Sequence, residues 1–247
     1  MVNGDVDQAI VKPAIGKNSP DPGRLVVMVS NRADLDAVAR CLNLKPENAR
    51  NVMMSRLHTA GAGLSRISVI GPMIGAPYAA LVMENLIAWG ARQFVFFGWC
   101  GSISPRIRIG DIIVPTGAFI DEGLSKHYRA DEQIPARPSV HINRATTEVL
   151  NRCGVAWHEG VIWTTDAIFR ETPDRVEYFQ SKAAIAVEME ISALCSVAVF
   201  RNVRFGSICV VSDELATLNW RPGFGDPRFR QSRKTVCEVI KNLCPML

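Results

Sequence analysis

Short apolar runs alternate with stretches of helical spacing from residue 25 onward. Leu25-Val-Val-Met-Val29 is continuously apolar, as a strand buried on both faces requires. Asp34 to Leu42 repeats apolar residues at Leu35, Val38, Ala39 and Leu42, which fall on one helical face. Ile67-Ser-Val-Ile70 predicts a second buried strand, opening through Gly71-Pro-Met-Ile-Gly-Ala-Pro77 into a helix from Tyr78 to Trp89 that Gly90 stops. Phe94-Val-Phe-Phe97 predicts a third strand, followed by a turn at Gly98-Trp-Cys-Gly-Ser102, and Asp111-Ile-Ile-Val-Pro115 a fourth. Asn143 to Cys153 has helical spacing and ends at Gly154, while Thr172-Pro173 marks the start of a short helix. Ile185-Ala-Val187 and Ser207-Ile-Cys-Val-Val211 read as strands, the second ending in Ser212-Asp213. Ile191 to Phe200 and Arg228 to Leu243 read as helices.

This alternation predicts an α/β fold of three layers, α/β/α, around a central, mostly parallel mixed sheet. Residues 1–24, with Pro13, Pro20, Pro22, Gly16 and Gly23, predict an irregular arm, and residues 25–247 a single domain. The uncharged run from Ile67 to Met83 is broken by Gly71, Pro72, Gly75 and Pro77, so a membrane span is not expected. Met1 to Ile10 carries Asp5 and Asp7 and lacks the apolar centre of a signal peptide.

With 48% hydrophobic, 21% charged and 7% aromatic residues, the 247-residue chain has globular composition. A net charge of +4 is too mild and too evenly spread for a nucleic-acid binder. The densest basic cluster, Arg228, Arg230, Arg233 and Lys234, reads as a solvated helix face. Seven scattered cysteines without C-x-x-C spacing fit a reducing compartment, so a cytoplasmic location is expected. No metal-ligand spacing or nucleotide-cofactor motif is present, so no metal or cofactor is expected.

In open α/β sheets, ligands collect where strands end. Four segments fall there: Gly71 to Pro77, Gly98 to Ser102, Glu188-Met-Glu190 and Ser212-Asp-Glu-Leu215. Singly each has a structural explanation, such as a helix cap or a solvated junction. Their order resembles the purine nucleoside phosphorylase and uridine phosphorylase family. Gly110-Asp-Ile-Ile-Val-Pro115, Asp121-Glu-Gly-x-Ser-x-His-Tyr128 and Thr165-Asp166 add to that likeness, and Trp220-Arg-Pro-Gly-Phe224 points to a divergent, uridine-phosphorylase-like branch.

The resemblance implies cleavage of a nucleoside N-glycosidic bond, by default phosphorolysis to free base and sugar 1-phosphate. It implies that Glu190 binds the sugar hydroxyls, with Met189 packed under the sugar and Glu188 beside it. Asp213 would serve the departing base as acid or hydrogen-bond donor. The stretch carrying Phe169, Arg170 and Glu171 would line the base pocket. The family assembles dimers stacked into hexamers, so a homo-oligomer is implied; Trp157, Trp163 and Phe119 read as apolar surface beyond one core's needs.

One corner departs from the family pattern. Where a Gly-Asp-Pro-x-Arg turn would hold phosphate, the chain reads Ser30-Asn-Arg-Ala-Asp34, with Asp34 near the arginine's position. The second arginine is replaced by Phe96, and the hydroxyl residue after Gly98 by Trp99. Losing two charged hydrogen-bonding groups would weaken phosphate by about 10²- to 10⁴-fold. Arg32, Arg50 and Arg56 are candidate replacement cations. Two alternatives stay open at this point: hydrolysis by water activated near Asp34, and a non-catalytic nucleoside-binding protein.

Overall fold

The computed structural model describes residues 9–128 and 133–247; the first eight residues of the expected arm, and with them most of the segment read against a signal peptide, lie outside that range. Residues 9–24 run without helix or strand. The arm is tied down where the Trp89 indole donates to the Ala14 carbonyl (2.9 Å) and the Ser68 hydroxyl to the Pro22 carbonyl (2.8 Å).

The strands are β1 (Leu25–Val29), β2 (Arg50–Val52), β3 (Ser55–Ala60), β4 (Ile67–Gly71), β5 (Gln93–Ser102), β6 (Ile112–Asp121), β7 (His158–Thr165), β8 (Ala186–Glu188), β9 (Arg204–Glu214) and β10 (Arg221–Pro222). The helices are α1 (Arg32–Cys41), α2 (Ala76–Ala88), α3 (Val140–Arg152), α4 (Pro173–Ser181), α5 (Ile191–Phe200) and α6 (Pro227–Leu243). They form one sheet in the order β10-β9-β6-β7-β8-β5-β1-β4-β3-β2, and an additional β9–β5 pairing closes β5, β9, β6, β7 and β8 into a ring.

The α/β class and the mostly parallel, mixed sheet agree with the sequence. The β4-β1-β5-β9 core is parallel, as are β6-β7 and β7-β8. The β2-β3-β4 hairpins, β5-β8, β6-β9 and β9-β10 are antiparallel. The antiparallel β5–β8 and β6–β9 pairings, together with the parallel β5–β9 pairing, complete the ring. One apolar layer packs α2 and α5 against the sheet, the other α1, α3 and α6. A third, smaller core joins α4 to β7 through Trp163, Phe179 and Val176.

The reading of Trp157, Trp163 and Phe119 as apolar surface is overturned here. Trp163 is fully buried and stacks on Phe179 at 4.4 Å, and Phe119 packs against the same cluster. Trp157 lies half-buried on the α3/α6 side, its indole donating to Asn151 Oδ1 at 3.0 Å. None of the three is spare surface: the α4 core takes Trp163 and Phe119, and the α3/α6 core takes Trp157. The large apolar residues left exposed are others, among them Ile74, Leu81, Val140, Phe169 and Val199.

Candidate active site

β5 does not turn at Gly98. It continues through Ser102, its outer half held between β9 and, at Gly101 and Ser102, β8. A bulge at Cys100/Gly101 shifts the register against β9, and bulges of this kind re-aim the strand beside functional sites. Gly101 is required by close approach: a Cβ there would lie 2.6 Å from Leu215 Cδ1 and 3.1 Å from Asp213 Oδ2. The missing side chain makes room for the Asp213 carboxylate.

The β8–α5 junction positions two buried glutamates. Glu188 accepts from the Thr164 hydroxyl on one oxygen, and from the backbone N–H groups of Glu190 (2.6 Å) and Ile191 (2.8 Å) on the other. Thus Glu188, which the sequence placed among sugar ligands, caps the start of α5 with both oxygens engaged inside the chain. Glu190 is 5% exposed, and its Oε1 accepts from Gly75 N–H at 2.6 Å. Gly75 has φ +84°, a left-handed conformation natural to glycine, and it lets the turn after β4 point its N–H at the carboxylate. Burial raises the pKa of both glutamates, with their mutual repulsion adding to that of Glu188. Met189 lies between them, half-buried.

Asp213, near the end of β9, is half-buried and held on both oxygens. The Ser212 hydroxyl donates to Oδ1 (2.6 Å) and the Trp220 indole to Oδ2 (2.9 Å). Trp220 itself is 63% exposed. Facing Asp213 is Glu171, whose carboxyl is pushed up to about 7, first by burial and then by the Asp213 charge. Its neighbours differ: Phe169 and Arg170, in the single 3₁₀ turn Ile168–Arg170, are exposed, Phe169 by 95%. Of the three residues expected at the base pocket, only Glu171 faces Asp213.

The acceptor corner is rearranged most. Asp34 is in the first turn of α1, behind the Asn31 N-cap, and is 2% exposed. Its Oδ1 accepts from Arg233 Nε (2.8 Å), in an ion pair that brings Nη2 to 2.6 Å, and its Oδ2 accepts from Asn31 Nδ2 and Trp99 Nε1, both at 2.7 Å. With every oxygen engaged, Asp34 has no lone pair aimed at a water. The expectation that it activates water fails for that reason. Phe96 does not line the corner either. It is fully buried, and its ring fills the space beside Gly98, where a Cβ would meet it at 2.5 Å. Arg32 is spent on an exposed pair with Asp36 (3.2 Å). Arg50 and Arg56 lie on the β2–β3 hairpin, Arg50 exposed and Arg56 half-buried.

Arg233 is the residue that sequence reasoning missed. Its neighbours Arg228, Arg230 and Lys234 are exposed as expected of a solvated face, but Arg233 turns inward, its side chain 18% exposed. Its guanidinium lies 4.8 Å from the Trp99 ring centroid and 5.4 Å from that of Phe229. The available signal was the helical spacing of Phe229, Arg233, Val236 and Ile240, which places the arginine on the apolar face of α6.

Buried carboxylates at the junction of a β-ring and an open sheet, one on the sugar side and one on the base side, define an α/β enzyme that handles a polyhydroxylated ligand with a basic leaving group. Comparison with known proteins narrows this class. The chain belongs to the phosphorylase superfamily, whose profile matches residues 24–243. It is 27% identical over 234 residues to a guanosine phosphorylase of Halorubrum lacusprofundi, covering 94% of this chain and 88% of that one. It is 30% identical over 238 residues to a uridine phosphorylase of Thermococcus kodakarensis, covering 90% and 84%. The fold is shared with a purine nucleoside phosphorylase from Toxoplasma gondii, solved in complex with immucillin-H, at a TM-score of 0.78 and 20% identity over 91% of both chains.

Proposed function

We propose that this protein is a nucleoside phosphorylase, an enzyme that cleaves the N-glycosidic bond of a nucleoside with phosphate and releases free base and pentose 1-phosphate. The observation that carries the reading is the pairing of buried Glu190, anchored by Gly75, with Asp213 under Trp220. Relatives named for guanosine, uridine and purine nucleosides support it.

Cleavage develops positive charge on the sugar and negative charge on the departing base. Glu190 has one oxygen fixed by Gly75, and the remaining lone pairs of its carboxylate suit two vicinal hydroxyls. Hydroxyl donation favours the ionised form that burial disfavours, so sugar binding charges the group where the transition state needs it. Asp213 donates to the base as it leaves, oriented by Ser212 and Trp220. Glu171, holding its proton up to about pH 7, lets the Asp213–Glu171 pair keep a proton at the base site. Neither hydrolysis nor pure binding is favoured: the carboxylate proposed to activate water is fully engaged, and the relatives named above are phosphorylases.

The same reading places the enzyme among those that recover bases from nucleosides, in a reducing compartment, which its seven free thiols support. Among the described residues no helix is long and apolar enough to cross a membrane. Self-association is part of the proposal and rests on exposed apolar residues such as Ile74, Leu81 and Phe169. Sedimentation of a monomer at micromolar concentration would refute that part. The central test incubates the protein with guanosine, inosine, adenosine and uridine, with and without phosphate, and identifies both products. Phosphate-dependent base release with sugar 1-phosphate is expected; base release that ignores phosphate and gives free sugar refutes the reading.

A further inference from the structure

A phosphorylase needs a cation for its acceptor, and the positions where the family resemblance expects arginines hold Asp34 and Phe96. Yet the donors that converge on Asp34 form an anion cradle. They are the Arg233 guanidinium, the Trp99 indole N–H and the Asn31 amide, at the N-terminus of the ten-residue helix α1. Guanidinium and N–H groups at a helix N-terminus are what an oxyanion seeks. Here the occupant is the chain's own carboxylate.

The cradle adjoins the sugar site. Ser30, which opens the α1 turn, accepts from Met73 N–H at 3.1 Å, and two residues further on Gly75 N–H binds Glu190. Arg233 is held from behind by Trp99 and Phe229, so the guanidinium keeps its place if the carboxylate leaves. Asp34 reaches the cradle from the first turn of α1 on a short side chain, held there by these same donors.

We propose that this cradle is the phosphate site, with Arg233 as the acceptor-binding cation and Asp34 as a tethered counter-ion that phosphate displaces. The inference rests on the phosphorolytic reading above and adds the residue that reading lacks. Phosphate would then bind by exchange, giving up part of its affinity to the competing carboxylate.

Two measurements test it. Asp34→Asn removes the competing charge while keeping the shape, so the phosphate KM should fall about tenfold or more, with the nucleoside KM unchanged. Arg233→Lys, which keeps the charge but loses the planar fork, should raise the phosphate KM by about ten- to a hundredfold. The second measurement needs no turnover. Inorganic phosphate should raise the melting temperature of Asp34→Asn more than that of the parent, and should lose this effect in the double variant Asp34→Asn/Arg233→Gln. Identical phosphate KM values in the parent and both single variants, or equal phosphate protection of Asp34→Asn and the double variant, would overturn the proposal. If the parent releases base without phosphate, the phosphorolytic reading fails, and the melting experiment still decides whether the cradle binds an oxyanion.

Discussion

Glu171→Gln should make the protein more stable in neutral and mildly alkaline solution while leaving it unchanged in acid. The Glu171 carboxyl is raised from 4.5 to about 7 by burial and by Asp213. Between those two values the folded chain holds a proton that the unfolded chain has released. Folding stability therefore falls as pH rises through that window, and the loss is complete above about pH 7. A rise from 4.5 to about 7 sets a ceiling of about 3 kcal/mol on the loss. Glutamine has the same shape and no proton to lose, so the variant escapes this penalty. For a chain of this size, each kcal/mol moves the melting temperature by about 2–4 °C, so a gain of several degrees is expected at pH 8 and none near pH 4. Thermal melts of parent and variant across that range, followed by circular dichroism, make the comparison. Because Asp213 is the second cause of the rise, Asp213→Asn should reproduce a smaller part of the effect. Parallel melting curves for parent and Glu171→Gln at every pH would refute the burial argument.

Further predictions concern activity. Glu190→Gln should lower kcat/KM by about 10²-fold or more on ribonucleosides, and less on 2′-deoxyribonucleosides, which offer one hydroxyl fewer; equal losses on both would argue against hydroxyl binding. Asp213→Asn should depress kcat about 10²- to 10⁴-fold with little change in KM, and less for a nucleoside whose base leaves easily; equal losses for good and poor leaving groups would leave Asp213 a purely structural role. Gly101→Ala should cost about 1–3 kcal/mol of stability and much of the activity, since the new methyl must push Leu215 or Asp213 aside; a fully active variant with the parental melting temperature would show that the bulge yields freely.

The elements that sequence made legible are those whose burial is uniform. β1 is apolar and buried throughout, β4 is buried from Ser68 onward, and α5 carries Ala193, Leu194 and Val197 inside a run with no charge. The β2–β3 hairpin escaped because Arg50-Asn-Val and Ser-Arg-Leu-His-Thr-Ala60 mix polar residues on an edge, and its turn at Met53, with φ 54°, has no glycine to announce it. β7 escaped because it opens on His158-Glu-Gly before its apolar half. At the site, Glu190, Gly75 and Asp213 carry recognisable local patterns. The Asp34–Arg233 pair does not: its partners are 199 residues apart, and only the meeting of α1 with α6 brings them together. Glu188 shows the opposite case, since its acidic neighbour suggested chemistry where the Thr164 hydroxyl and the N–H groups of Glu190 and Ile191 engage both its oxygens.

The indoles add a practical consequence. Of five tryptophans, Trp99 donates to Asp34 in the proposed cradle and Trp220 to Asp213. Phe224 lies between them, 6.1 Å from one ring and 6.4 Å from the other. Trp89, Trp157 and Trp163 are anchored elsewhere, to Ala14, Asn151 and Asp121. Intrinsic emission thus carries two optical reporters at opposite ends of the site and a constant background from the other three. Trp99→Phe should silence the response to phosphate and Trp220→Phe the response to nucleoside, so a stopped-flow trace of each variant would time the arrival of one substrate separately from the other.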